Sequence, residues 1–503
     1  MRTLSCAVLL ALSATACSSE ISSVVGSASP TTQPPKPVVT PTLPQPPSSL
    51  SRSRVTLQPN ARAGAVPVRL TVPTHTEGAV VSSNLYGSAE DDIAMAVARD
   101  ASSNIVTAGR LGGSGDIGCG QHTSATGAGY VAQTNAAGAC TWAVYFNDDG
   151  FVSPSAVTVA ADGSVYVAGS FDATAVFGAA QYVSAGGLDG FLVKIAAGGT
   201  VAWARTFGGA DDEYPYAVAV SGNSVAVGGA FYGTMAPGGN GTTTLTSNGD
   251  ADAFVATFAA SDGGLVTSRA FGGPGWDAVN ALTFNEGAQV IAVGTHAGGL
   301  DLGLGTIATA GGQDGFVAVY NGSLGAVAAR SFGGIGDDAA HGVVVDATSR
   351  IIVAGYFVTV ADVGAVLPLA GTGSYTAFWA RYGGSLAFDT AATLASDGGI
   401  IAETLALQPT GDIVIGGQFT GTTTPGAFQM SAGAARAGFA ASFSPSGSPL
   451  WATSVHGSGD IEILGVVGSA SGTVAVGSSW GSLDSCTTPN AGGSDVAVMT
   501  LGN

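Results

Sequence analysis

Residues 187–231 read GLDGFLVKIAAGGTVAWARTFGGADDEYPYAVAVSGNSVAVGGAF. Four short apolar runs, Gly190–Ile195, Val201–Phe207, Tyr214–Val220 and Ser224–Phe231, are separated by turns rich in Gly, Asp and Asn. None has helical length or period, so each reads as a strand. Their alternation is incomplete, as expected where strands are buried on both faces between neighbouring sheets.

Three phrases within this stretch recur along the chain. The first is an aromatic strand after a glycine-rich turn, at Tyr130, Phe191, Phe254, Phe316, Phe378, Phe439 and, as alanine, Ala497. The second closes a strand on glycine, at Tyr86-Gly87, Phe207-Gly208-Gly209, Phe271-Gly272-Gly273 and Phe332-Gly333-Gly334, with degraded copies at Phe146, Leu394 and His456-Gly457. The third is an apolar strand ending in glycine: SNIVTAG, GSVYVAG, NSVAVGG, AQVIAVG, SRIIVAG, GDIVIGG and GTVAVGS. The aromatic-strand positions are spaced by 61, 63, 62, 62, 61 and 58 residues, which makes seven units of about 62.

Four strand candidates per unit, repeated seven times without a helical pattern, predict an all-β chain: a seven-bladed β-propeller of four-stranded antiparallel blades. A β-helix is the competing solution, but its coils repeat at about 20 residues. The chain begins near the second phrase and ends on the first. If blades are cut elsewhere in the unit, the two ends complete one sheet together and latch the ring; the sequence does not choose the cut.

The phrases WARTFGG at Trp203 and DGSVYVAGSF at Asp162 resemble the bacterial SBBP-type β-propeller repeat, found in secreted and surface proteins. The resemblance covers residues 79–503. It implies a seven-bladed propeller outside the cytoplasm and transfers no catalytic residues.

Composition agrees with many short strands: 78 glycines in 503 residues, 10% charged and 46% hydrophobic. The net charge of −19 is uneven, because residues 1–82 hold six Lys/Arg against two acids. The remaining chain is strongly acidic, which excludes nucleic acid as a partner, since phosphate binding needs a cationic surface. The N-terminus MRTLSCAVLLALSATAC has one basic residue, an apolar core and small residues ending at Cys17, the pattern of an export signal over residues 1–16. Ala14 to Cys17 resembles a bacterial lipobox, which would make Cys17 the lipidated first residue and the lipid a membrane anchor, although leucine is the usual residue where Ala14 stands. The same letters fit an A-x-A cut that would release a secreted protein. Residues 17–49 form a Ser/Pro-rich linker, with eight prolines from Pro30 to Pro47, suited to an extended tether. Residues 50–78 lead in with strand-like alternation, and 79–503 carry the propeller.

Acidic turns recur at Asp91-Asp92, Asp148-Asp149, Asp211-Asp212, Asp277, Asp337-Asp338, Asp397 and Asp460. A feature repeated in unit after unit reads as turn punctuation, because Asp accepts bonds from amides two residues on. Asp91, Asp92, Asp211, Asp212, Asp337 and Asp338 are weak calcium candidates, yet no run matches a calcium loop, and no cofactor is expected. GSSWG at 477–481 and GSGDIG at 113–118 match a hydrolase elbow and a dinucleotide fingerprint but lack the helix each requires. His75, His122, His296, His341 and His456 have no zinc spacing. Leu111, Phe171, Phe231, His296, Phe357, Phe419 and Trp480 sit just after the third phrase, where an aromatic ligand ring competes with simple packing. In an oxidising envelope Cys119 and Cys140, 21 residues apart, are expected to bridge; a Cys486–Cys119 bridge is the competitor.

The expected function is that of an exported outer-membrane lipoprotein whose monomeric propeller is a rigid binding or scaffolding module for a protein or glycan. The alternative is an extracellular enzyme, a lyase or glycan hydrolase, with its site at the channel mouth and a blade-specific cluster of His, Glu, Arg or Tyr.

Overall fold

The computed structural model describes residues 78–502, apart from Asp149, Asn240, Ala434, Ala470, Ser471 and 487–489. The export signal, Cys17, the linker, His75 and residues 50–77 therefore lie outside the described residues.

The architecture is a seven-bladed β-propeller. Six blades are continuous in sequence; blade 2, for example, runs Val152–Val159, Val165–Phe171, Asp189–Ile195 and Val201–Gly209 from inner to outer strand, all antiparallel. The inner strands touch in succession around the ring, and Ile461–Ser469 of blade 7 meets Ile93–Arg99 of blade 1. Blade 7 is shared by the chain ends: Ile461–Ser469, Gly472–Ser479 and Asp495–Leu501 are completed by Val80–Tyr86, with Ser83 opposite Met499 and Tyr86 opposite Val496. Gly78 N donates to Gly502 O and Gly502 N to Ala79 O, which extends the latch. The opening stretch thus holds two half-blades. Its first two runs close blade 2, and its last two open blade 3.

The repeated aromatics explain themselves at the junctions. In blades 1 to 4 the aromatic near the end of the outer strand packs on the third-strand aromatic of the next blade: Phe146 on Phe191 at 5.9 Å, Phe207 on Phe254 at 6.1 Å, Phe271 on Phe316 at 5.8 Å and Phe332 on Phe378 at 5.4 Å between ring centroids. Each such burial contributes about 1.5–3 kcal/mol, so the core is distributed around the ring between sheets. In blade 6 the outer-strand position is Val455, not His456, because Val455 is the residue opposite Gly438.

The two ends of the ring differ. Inner and second strands are joined by tight turns in which Asp100, Asp162 and Asp346 accept amides two residues on. Second and third strands are joined by long connections that reach back to the preceding blade. Thr174–Phe177 pairs with the outer strand of blade 1, Thr234–Ala236 pairs with Gly208 and Gly209, and single bridges join Gly87 to Asp116, Gly333 to Asp362, Ser396 to Thr423 and Gly457 to Leu483.

Candidate functional site

Every inner strand carries a β-bulge near the end that holds the long connections. The extra residues are Met95, Ser155, Tyr216, Asn280, His341, Glu403 and Leu464 in blades 1 to 7. A bulge leaves its residue out of the ladder and re-aims the side chain. The glycine that closes the third phrase accommodates it. A Cβ on Gly109, Gly169, Gly229, Gly294, Gly355, Gly417 or Gly477 would run into the carbonyl oxygen of the residue two before the bulge, for example Ala339 O for Gly355. The glycine phrase and the bulge ring are therefore one device.

Bulge residues bridge adjacent blades. Ser155 Oγ donates to Pro215 O, and Asn280 Nδ2 donates to Ala340 O at 3.0 Å. His341 Nδ1 lies 2.9 Å from Glu403 Oε2, both side chains being nearly buried. From Glu403 the chain of contacts continues outward: Gln418 Nε2 donates to Glu403 Oε1 at 3.0 Å, Arg436 Nη1 donates to Gln418 Oε1 at 2.6 Å, and the same nitrogen lies 2.8 Å from Glu462 Oε1. Arg436 Nε also donates to Asp460 Oδ2 at 3.2 Å. Three blades thus supply one network.

Its electrostatics are uneven. Burial raises the Glu403 carboxyl, but His341, Gln418 and Arg436 outweigh it and hold the group below the usual carboxylate range. Burial pushes Glu462 up to about 7, against the pull of Arg436 and with the push of Glu403 and Asp460. Tyr356 and Tyr375 adjoin, with Tyr356 5.4 Å from the His341 ring and 5.2 Å from Tyr375.

Blades 3 and 4 present a different surface. Tyr214 and Tyr216 stack at 6.2 Å, Tyr214 meets Tyr232 at 6.4 Å, and Tyr216, Tyr232 and Trp276 pack over Ala230, Ala251 and Ala278. Half-buried aromatic faces suit a ligand that stacks on them.

Leu111, Phe171, Phe231, His296, Phe357 and Phe419 are buried and pack on their own blade's third strand, as Phe357 does on Phe378 at 6.1 Å, so they line no mouth. Trp480 is not their equivalent; Ser479 is, opposite Asp495. His296 is fixed between Gly298 O at 3.1 Å and Ser331 Oγ at 2.8 Å. Cys119 and Cys140 are bridged, with Cα atoms 5.2 Å apart, and Cys486 stands outside that bridge.

The acidic doublets are not simple turn punctuation. Asp91, Asp212, Asp337 and Asp460 accept an amide of the preceding blade, from Ser494, Leu188, Gln313 and Arg436. Asp211 is exposed. Asp92, Asp277 and Asp338 are buried, and each accepts two amides, Asp338 from Gly334 at 2.6 Å and Val358 at 2.8 Å. Amide donors aimed at both oxygens disfavour a cation there, and among the described residues no group of three or more His, Cys, Asp or Glu is placed to hold a metal. Glu403, Gln418, Arg436, Glu462, Tyr216 and Trp276 were not legible as a site, because they come from separate blades.

No family model matches the chain, and no curated protein matches it. Solved structures do. The chain is similar to the WD40 domain of Neurospora crassa Pan2, at 9% identity and a TM-score of 0.40, over 80% of this chain and 88% of that one. It is similar to the quinohemoprotein alcohol dehydrogenase ADHIIG of Pseudomonas putida HK5, at 9% identity and 0.35, over 85% and 77%. A Xanthomonas campestris gluconolactonase gives 12% identity and 0.27, over 56% and 95%. At these identities the likenesses concern fold and carry nothing about activity.

Proposed function

We propose that the chain is an exported cell-envelope lipoprotein whose propeller is a rigid binding or scaffolding module, with recognition at the end of the ring that carries the bulges. One observation carries this reading: a regular scaffold repeats seven times, yet its bulge residue is Tyr216 in blade 3, Asn280 in blade 4, His341 in blade 5 and Glu403 in blade 6, the first clustered with Trp276 and the last two in a network with Arg436. Binding sites are commonly set where a rigid framework presents varied side chains. The aromatic side fits the flat face of a sugar ring or an apolar peptide side chain, and the acidic surface disfavours polyanions. The phrase-level likeness to SBBP-type repeats and the lipobox-like segment at Cys17 support an address outside the cytoplasm.

The test pairs Tyr216→Ala with Trp276→Ala and probes a panel of envelope glycans and peptides by array and calorimetry. Binding that the parent shows and the double variant loses, at unchanged melting temperature, supports the reading; binding unaffected by both changes removes the site from this end. Separately, Cys17→Ala should move the protein from the detergent phase to the aqueous phase, and a parent already in the aqueous phase would favour the A-x-A cut.

A second reading, an enzyme of the lyase or glycan-hydrolase class, is favoured by the His341–Glu403 couple beside Glu462, a carboxyl raised to about 7. Glycan cleavage by the parent that Glu403→Gln abolishes would select it.

A further inference from the structure

Seven junctions bring together a residue at or next to the start of the third strand of one blade and a residue at or next to the start of the inner strand of the next. At four of them both residues are acids: Asp189 with Glu213, Asp252 with Asp277, Asp314 with Asp338, and Asp495 with Asp92 across the ring closure. At the other three neither is: Ala128 with Val152, Thr376 with Ile400, and Ala437 with Ile461. Acids occur as pairs or are absent. Independent turn residues would not sort in this way, whereas two groups that need one another would.

The geometry shows what they share. All eight carboxyl groups are buried. They meet at the glycine after the outer-strand aromatic: a methyl group on Gly87, Gly208 or Gly333 would overlap oxygens of both partners, and one on Gly272 would overlap Asp252. One oxygen of each third-strand acid accepts an amide, from Ala185, Asn248, Ala310 or Ala491. The other oxygen, Oδ1 of Asp189, Asp252, Asp314 and Asp495, is buried without a hydrogen-bond partner, and so is Glu213 Oε1. Two buried ionised carboxylates facing each other would repel, and an orphaned oxygen costs about 1–3 kcal/mol.

We propose that each of these four pairs is a site for a single shared proton, held between the orphaned oxygen and the facing carboxylate. One member is then a carboxylic acid that donates and the other a carboxylate that accepts, which closes the orphan and removes the repulsion. The surroundings fit a proton. The principal charged groups acting on these acids, besides the pair partner, are Asp211 and Asp212 at Glu213 and Asp337 at Asp314 and Asp338; among the described residues no lysine or arginine is a principal influence on any of the eight. The phenols of Tyr130 beside Asp92 and Tyr356 beside Asp338 are pushed above the ordinary range and stay neutral. His296, opposite Asp314 in register, has both ring nitrogens engaged elsewhere. A calcium ion would need six to eight oxygens. Here the inner-strand acids Asp92, Asp277 and Asp338 spend their oxygens on amides, as Asp338 does for Gly334 and Val358.

The sign follows from burial, the largest cause in each case. Asp92 and Asp189 are raised to about 6, Asp277 and Asp338 to about 7, and Glu213 to about 10. Folded pKa values above the unfolded ones mean that the native chain binds more protons, so this stability is present below about pH 4 and is lost as pH rises through the folded values. One pair sits in the non-covalent latch, so the loss includes ring closure.

The experiment measures melting temperature of the full chain between pH 5 and pH 8, for the parent and for Asp189→Asn, Asp252→Asn, Asp314→Asn and Asp495→Asn combined. The parent should lose roughly ten degrees over that range. The combined variant should lose most of that dependence, because an amide donates permanently to the facing carboxylate. Should it fail to fold, Asp314→Asn alone should flatten the slope in part, and an infrared carboxylic-acid band in the native parent at pH 6.5 should diminish in that variant. A parent with no pH dependence, or Asn variants with the parent's slope, would overturn the proposal. So would recovery of stability at pH 8 on adding calcium to chelator-treated protein, which would make the shared ligand a metal ion.

Discussion

Between blades 4 and 5, Asp314 and Asp338 meet beside Gly333, and among the described residues no basic side chain is a principal influence on them. Between blades 6 and 7 the same two positions hold Ala437 and Ile461, and charge stands one residue to either side, on Arg436 and Glu462, 2.8 Å apart. The backbone is the same at both junctions. The first joins like charges and needs a proton; the second sets Arg436 against Glu462, whose carboxyl burial still raises to about 7. A buried charge is tolerated only with its neutraliser, and the two junctions differ in whether that neutraliser is a side chain or comes from solvent.

The largest effect is expected where the neutraliser is a side chain. Arg436→Met would leave Glu403 and Glu462 buried without their cation and should cost about 3–5 kcal/mol in denaturant unfolding. The pH response of this junction is mixed, because Glu462 is raised to about 7 and its contribution is lost as pH rises, as in the acid pairs. Glu403 is held below its unfolded value, so its contribution is present above the ordinary carboxylate range and is lost as pH falls through the lowered value. Arg436→Met should therefore remove stability at pH 7 and little of it in strong acid. An equal loss at both pH values would show that Arg436 acts by packing alone.

The second expected effect converts one junction toward the other. Ile461→Asp places a single acid opposite Ala437 and should cost about 2–4 kcal/mol, the penalty for an unpaired buried charge or the proton it must take up. Adding Ala437→Asp rebuilds the pair. The double variant should recover part of the loss at pH 5 and none at pH 8, as read by melting curves at each pH. Recovery at both would mean that the junction tolerates two ionised carboxylates.

How much of this was legible follows from the period. The aromatics of the first two phrases repeat at one spacing because they pack on each other across four of the seven junctions, so the fold could be read from Phe191, Phe254, Phe316 and Phe378. The cut between blades was not legible, since pairing Val80–Tyr86 with Asp495–Leu501 joins segments over 400 residues apart. The acid pairs were half legible. Asp337-Asp338 stood out as a doublet, but its adjacent residues do different work, and the true partner of Asp338 is Asp314, in another phrase. The bulge ring left a signal in the third-phrase glycine, which sequence alone could not distinguish from a turn residue.

The third effect tests that signal. Gly355→Ala brings a methyl group against Ala339 O, two residues before the His341 bulge, and backbone cannot yield cheaply there. It should cost about 1–3 kcal/mol, of the order of other overpacking strains. The equivalent Gly417→Ala, behind Glu403, should cost the same in stability. Any loss of ligand binding should then be greater for Gly417→Ala than for Gly109→Ala behind Met95, because only the former displaces the charged network. Equal binding by all three would separate the bulge ring from recognition.

The smallest effect contrasts two adjacent residues. Asp337 is exposed and accepts Gln313 N at 3.0 Å from the preceding blade, a bond that asparagine can also accept. Asp337→Asn should therefore shift the melting temperature by no more than about a degree, at pH 5 and pH 8 alike. Asp338→Asn differs in kind. Its amide nitrogen would donate to Asp314 but would stand where an oxygen now accepts Gly334 N or Val358 N, so the variant should lose stability at pH 5 and lose less at pH 8, where the parent's pair has lost its proton. A chelator should leave both variants and the parent within the same degree, because the oxygens of Asp338 are taken by amides and the shared ligand is a proton. If Asp337→Asn also responds to pH, or if a chelator lowers the parent by ten degrees, the two aspartates act together as one site and the division of labour between them fails.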